Sequence, residues 1–174
     1  MYSLAQRANS VFAFSLTVIF VLLGAVAIIT PFLPFNPTTE VHVRDIAVWT
    51  YDYGGSISEI AFVTMDLEAD LTSLFNWNTK QLYVSIVAEY ESDTYNVNQI
   101  ILWDDIIRSK RDARIVLHQL KNKYIFNDIN PSFREINATY ALHWDAMPYA
   151  GLLQSGRSKS IKRVKFPKPE NMAS

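Results

Sequence analysis

The chain has 174 residues, no cysteine and a formal net charge of −1 at pH 7. Without cysteine it has no internal disulfide framework, no thiol nucleophile and no thiolate metal ligand. Aromatic residues make up 13% of the chain, too many for a disordered polymer, so the residues beyond the N-terminal apolar run belong to a domain with a real core.

The neutral total hides an asymmetry. Residues 40–156 carry 9 basic and 16 acidic groups, whereas 157–168 carry six basic groups and no acid. A body that acidic is a poor partner for nucleic acid. The basic stretch, part of a C-terminal tail over 154–174, suits anionic lipid or an acidic partner, or simply a solvated terminus.

Arg7 is the one charged side chain before Glu40, and residues 11–30 are almost wholly apolar. Twenty helical residues rise about 30 Å, the thickness of a bilayer's hydrocarbon core. A helix satisfies its own backbone, so 11–30 reads as a transmembrane helix after a short N-terminus over 1–10. Arg7 and the α-amino group precede it and Glu40 follows, which places the N-terminus in the cytoplasm. Ala25-Val26-Ala27 resembles a signal-peptide cleavage site, but the run continues through Ile28 and Ile29 and is too long for a signal's apolar region. The segment therefore reads as a retained anchor. Gly24 and Ala25 offer a small-residue patch for a neighbouring helix.

Pro31, Pro34 and Pro37 end the helix near Thr30 and make 31–39 a stiff linker, with Phe32, Leu33 and Phe35 near the membrane surface. From Glu40 the period changes to two. Ala61, Val63, Met65, Leu67, Ala69 and Leu71 alternate with Thr64, Asp66, Glu68 and Asp70, the mark of a half-buried strand. Leu82, Val84, Ile86, Ala88 and Tyr90 predict a second strand, and Tyr140, Leu142, Trp144 and Ala146 a third. Weaker strands are expected at 41–48, with a bulge near Asp45, and at 100–103, 115–120 and 124–126. Turn signals stand at Gly54-Gly55, Ser92-Asp93, Asn127-Asp128 and Asn130-Pro131. Asp70 can cap a single helical turn over 70–75. The fold class is mainly β: one transmembrane helix, then an antiparallel β-sandwich over 40–153.

Chemistry is sparse. Asp66, Glu68 and Asp70 share a strand face, but a straight strand spaces them about 7 Å apart, too far to chelate one ion. The row reads as the solvent side of a strand. His42, His118 and His143 are isolated, and His42 and His143 read as surface residues. No metal spacing and no G-x-S-x-G or S-x-x-K motif occurs, and Gly54-Gly55-Ser56 is a turn. Neither metal nor cofactor is implied. Asn137-Ala138-Thr139 is an N-glycosylation acceptor, whereas Asn36-Pro37-Thr38 and Asn130-Pro131-Ser132 are blocked by proline. Trp77 and Trp103 lie among polar residues, a composition that suits a protein–protein contact or a sandwich core.

Several segments carry a family likeness. They are Arg7-Ala8-Asn9-Ser10, Asp66-Leu67-Glu68-Ala69-Asp70-Leu71 and Phe75-Asn76-Trp77-Asn78-Thr79-Lys80-Gln81. Further along come Ala88-Glu89-Tyr90, the run from Asn98 to Asp104, Asn137-Ala138-Thr139 and the run from Trp144 to Pro148. In this order the chain resembles subunit 3 of the eukaryotic signal peptidase complex over about residues 1–153, the F-x-W-N-x-K-Q and N-Q-x-x-L-W-D segments being the most specific. The basic tail from Gly156 departs from the family.

The resemblance implies an endoplasmic reticulum protein with one N-terminal span and a lumenal β-sandwich. It further implies a non-catalytic, glycosylated subunit whose partners are the catalytic and other subunits of the complex, the membrane lipid and, indirectly, nascent chains bearing signal peptides. Trp77, Lys80, Trp103 and Asp104 are the candidate partner-interface residues. A rival reading is a tethered or secreted carbohydrate-binding sandwich with Trp77 and Trp103 as stacking platforms. A third is a small anchored hydrolase using Asp66 and Asp70 or a histidine.

Overall fold

The computed structural model describes residues 3–53, 56–92, 95–127, 136–158 and 162–167. Helix α1 spans Leu4–Ile29, beginning seven residues before the predicted span. Ser3 caps it, its hydroxyl accepting the Gln6 amide hydrogen at 3.3 Å. Pro31 then converts the chain into a 3-10 turn over Thr30–Phe32, ending the α-helix where expected. No residue of α1 is buried. It is the one helix among the described residues long and apolar enough to cross a membrane.

Nine strands follow among the described residues: β1 Thr38–Tyr53, β2 Ser56–Asp70, β3 Thr79–Tyr90, β4 Asn98–Ile107, β5 Arg114–Lys121, β6 Phe126–Asn127, β7 Asn137–Pro148, β8 Gln154–Arg157 and β9 Lys162–Lys165. They form two antiparallel sheets. The first runs β1-β2-β5 with β6 also on β2; the second runs β4-β3-β7-β8 with β9 also on β7.

The two-residue period drives this layout. Ala61, Val63, Met65, Leu67 and Ala69 of β2 face Leu82, Val84, Ile86 and Ala88 of β3, with Ala138, Tyr140, Leu142 and Trp144 of β7, in one buried cluster. Each fully buried Leu, Ile or Met contributes roughly 1.5–3 kcal/mol of hydrophobic stabilisation. The expected bulge in β1 is real and falls on Arg44, between Val43↔Met65 and Asp45↔Thr64. It switches the inward parity, so that Val41 and Val43 precede it and Ile46 and Val48 follow it on the core side.

The short turn after β2 also forms, over Thr72–Leu74. Asp70 Oδ1 accepts from the Thr72 amide at 3.0 Å and from its hydroxyl at 2.6 Å.

The structure corrects three readings. The segment expected as a solvated tail supplies β8 and β9, both paired to β7. Its alternation is masked by basic residues, because an edge strand needs only one partner and leaves most side chains wet. Of the stretch 124–126, only Phe126 joins a strand. His143 is half-buried rather than on the surface, at 29% side-chain exposure, because it lies on an inner strand of its sheet. The turn signals Gly54-Gly55, Asp93, Asp128 and Asn130-Pro131 lie outside the described residues.

Candidate functional site

The described residues hold no group of acidic and histidine side chains fit for a metal ion. Asp66 Oδ1 accepts from the Gln119 amide at 2.9 Å, and Arg44 holds its other oxygen. Gln119 has a left-handed φ of 53°, so the carboxylate steadies a β5 bulge opposite it. Asp70 caps Thr72 and pairs with Arg114 at 2.9 Å. The Thr72 hydroxyl and amide, then Arg114, hold the Asp70 pKa down at about 2. These carboxylates are occupied by the fold. His42 and His118 are exposed and sit beside Glu40 and Asp66 respectively. Burial lowers the His143 pKa, with Glu89 opposing.

The most elaborate polar construction lies where α1 meets the sandwich. Asn78, just ahead of β3, is only 3% exposed. Its Nδ2 donates to the Thr30 hydroxyl at 2.7 Å and to the Ala150 carbonyl at 2.7 Å. Its Oδ1 accepts the Ala150 amide hydrogen at 3.1 Å, and its backbone carbonyl that of Tyr149 at 2.8 Å. Thr30 is 5% exposed and donates its own hydroxyl hydrogen to the Val26 carbonyl at 2.7 Å. One buried amide thus clasps the end of α1, the start of β3 and the chain leaving β7. A buried amide leaves so many polar groups unpaired if removed that such a network is costly to break.

Neighbouring residues serve the same corner. Asn76 Oδ1 accepts from the Asn78 amide at 2.8 Å, and the Thr79 hydroxyl donates to the Leu74 carbonyl at 2.8 Å. Gly151 has φ +109°, and a Cβ there would stand 3.0 Å from Ala27 Cα, so the loop after β7 lies directly on the last turns of α1. The linker adds two ties: Phe35 meets Trp144 edge-on at 5.4 Å, and the Asn36 amide donates to the Ser73 hydroxyl at 3.2 Å.

The four predicted interface residues fall into two groups. Trp77 is 63% exposed and Lys80 is exposed, both beside the clasp. Trp103 is half-buried against the core opposite Ile86, and Asp104 lies opposite Ser85. From Thr79 to Ile86 a strand runs about 23 Å, so the two tryptophans do not line one groove. Asp104 Oδ1 accepts from Lys123 Nζ at 2.7 Å and from the Tyr124 hydroxyl at 2.8 Å, and the Lys123 amide donates to the Leu102 carbonyl. This ties the chain after β5 across the open edge of β4. Lys123, then Tyr124, lowers the Asp104 pKa, and Asp104 raises that of Lys123. Asn137 is exposed at the start of β7, the end remote from the clasp.

Asn78 and Thr30 escaped the sequence reading as functional residues. Asn78 stood inside the most specific stretch of the likeness, but nothing local links it to a threonine 48 positions away.

The family model described as Signal peptidase subunit matches residues 1–169, so the match runs through most of the basic tail that was expected to depart from the family. The chain is 37% identical over 171 residues to a protein named Signal peptidase complex subunit 3 of Gallus gallus, covering 96% of this chain and 95% of that one. It is 34% identical to the Homo sapiens protein of that name, with the same coverage. The Drosophila melanogaster protein of that name is 33% identical, with 96% of each chain covered. With this match over nearly the whole chain, the protein belongs to the signal peptidase subunit family.

Proposed function

We propose that this chain is a non-catalytic accessory subunit of the endoplasmic reticulum signal peptidase complex. In this reading α1 anchors it with the N-terminus cytoplasmic and the sandwich lumenal. The sandwich supports the catalytic subunit and fixes its height above the membrane while signal peptides are removed from nascent secretory chains. The observation that carries the reading is the Asn78 clasp, which makes α1 and the sandwich one mechanical unit. A flexible tether would transmit no position. A misplacement of about 1 Å at a scissile bond costs on the order of 100-fold in rate, so rigid support is worth having.

The proposed partners are the catalytic and other subunits of the complex, the membrane lipid and, indirectly, the nascent chain. Trp77, Lys80, Trp103 and Asp104 remain the proposed contacts, with exposed Trp77 the strongest of them. Glycosylation is proposed at Asn137, whose exposure and distance from the clasp leave room for a sugar. Co-purification of the Trp77→Ala, Lys80→Ala double variant with the catalytic subunit tests the interface. Reduced recovery is expected. Undiminished recovery with a correctly folded sandwich removes both residues from it.

A further inference from the structure

We infer that the loop leaving β7 is itself a lipid-binding element, with Tyr149, Leu152 and Leu153 seated in the bilayer interface beside α1. The inference rests on the reading that α1 spans a membrane. Arg7, Asn9 and Ser10 mark the polar end of the helix, and the apolar stretch from Val11 to Ile29 is 19 residues, about 28 Å. That length only just fills a hydrocarbon core of about 30 Å, so the last turn, including Ala27, lies at its lower boundary. Gly151 rests on Ala27, which fixes the depth of the loop.

Chemistry agrees with that depth. Tyr149, Leu152 and Leu153 are 71%, 79% and 54% exposed, and no charged residue occurs from Ala146 to Gly156. Phe32 on the adjoining turn is 82% exposed. Backbone at this depth needs its polar groups paired. Asn78 supplies that pairing, accepting from the amides of Tyr149 and Ala150 and donating to the Ala150 carbonyl. A tyrosine beside two leucines is the composition that settles where hydrocarbon meets headgroups. The sandwich would then hold the membrane at two places, the helix and the loop, and could not swing about the linker.

The chain has no cysteine, so single labels can be placed without removing native residues. Full-length Leu152→Cys, Leu16→Cys and Val97→Cys, each spin-labelled in phosphatidylcholine vesicles, report collision with oxygen, which concentrates in lipid, and with a water-soluble nickel chelate. Val97 adjoins β4 at the end remote from the clasp and is 70% exposed. The expected oxygen-to-nickel ratio is above one at positions 16 and 152 and below one at 97. A ratio below one at 152, with 16 in lipid, overturns the loop's role and leaves the span intact. Low access of both reagents at 152 marks burial against protein and overturns it too. A ratio below one at 16 overturns the span and the inference together.

Discussion

The Asn78 side-chain amide donates to the Thr30 hydroxyl at 2.7 Å, joining the first residue after α1 to the corner that opens β3. Because both groups are buried, their pairing carries energy that a surface hydrogen bond would not. Asn78→Ala should destabilise the full chain by about 2–3 kcal/mol, since it strands the Ala150 amide and carbonyl as well as Thr30. Thr30→Val should cost less, and a double-mutant cycle of the two should show a coupling of about 1 kcal/mol. Chemical denaturation in detergent micelles measures both; additive effects would mean that the two side chains do not interact.

Gly151→Ala should loosen the same corner. The left-handed φ alone costs an alanine about 1–2 kcal/mol, and its Cβ would meet Ala27 backbone at 3.0 Å. Ala27→Gly should rescue it only in part, because it removes the Ala27 Cβ at 3.2 Å but leaves the Cα at 3.0 Å and the unfavourable φ. Thermal unfolding of the single and double variants reads this directly.

Gly156 answers to a different neighbour. A Cβ at Gly156 would fall 2.2 Å from Trp144 Cζ2, in the ring that also meets Phe35. Gly156→Ala should therefore displace Trp144 and cost about 1–3 kcal/mol, as overpacking does. The near-ultraviolet tryptophan signal should change with it; an unperturbed signal would show that β8 moves aside instead.

Asp70 should confer a pH dependence. Its carboxyl is held at about 2 in the fold by Thr72 and Arg114, below the ordinary value of 3.8. A depressed carboxylate contributes stability that is present above the unfolded value and lost as pH falls through the folded one. The stability gap between the wild type and Asp70→Asn should therefore be constant above about pH 5 and shrink between pH 4 and 2. Denaturation midpoints across that range check it; a gap that widens towards pH 2 would contradict it.

Much of the sandwich was legible because β2, β3 and β7 turn an apolar residue to the core at every second position, and that period shows in the sequence. The β1 bulge was legible too, because a parity switch between Val43 and Ile46 has no other simple cause. β8 and β9 were not. Their place depends on Trp144 finding a glycine opposite it and on β7 offering a free edge, neither of which is written locally. The clasp was illegible for the same reason: Asn78 and Thr30 look ordinary until the fold brings them together. The ties from Lys123 and Tyr124 to Asp104 were illegible as well, because these partners come from another sheet's connection.

The proposed role depends on a rigid joint between α1 and the sandwich that positions the catalytic partner. Its most direct measurement is signal-peptide cleavage by reconstituted complexes carrying wild type, Thr30→Val or Asn78→Ala at matched assembly. A loss of roughly 10-fold or more in kcat, graded with the damage to the clasp, is the predicted result. Wild-type kcat from a complex whose Asn78→Ala subunit is assembled but demonstrably unclasped would contradict it.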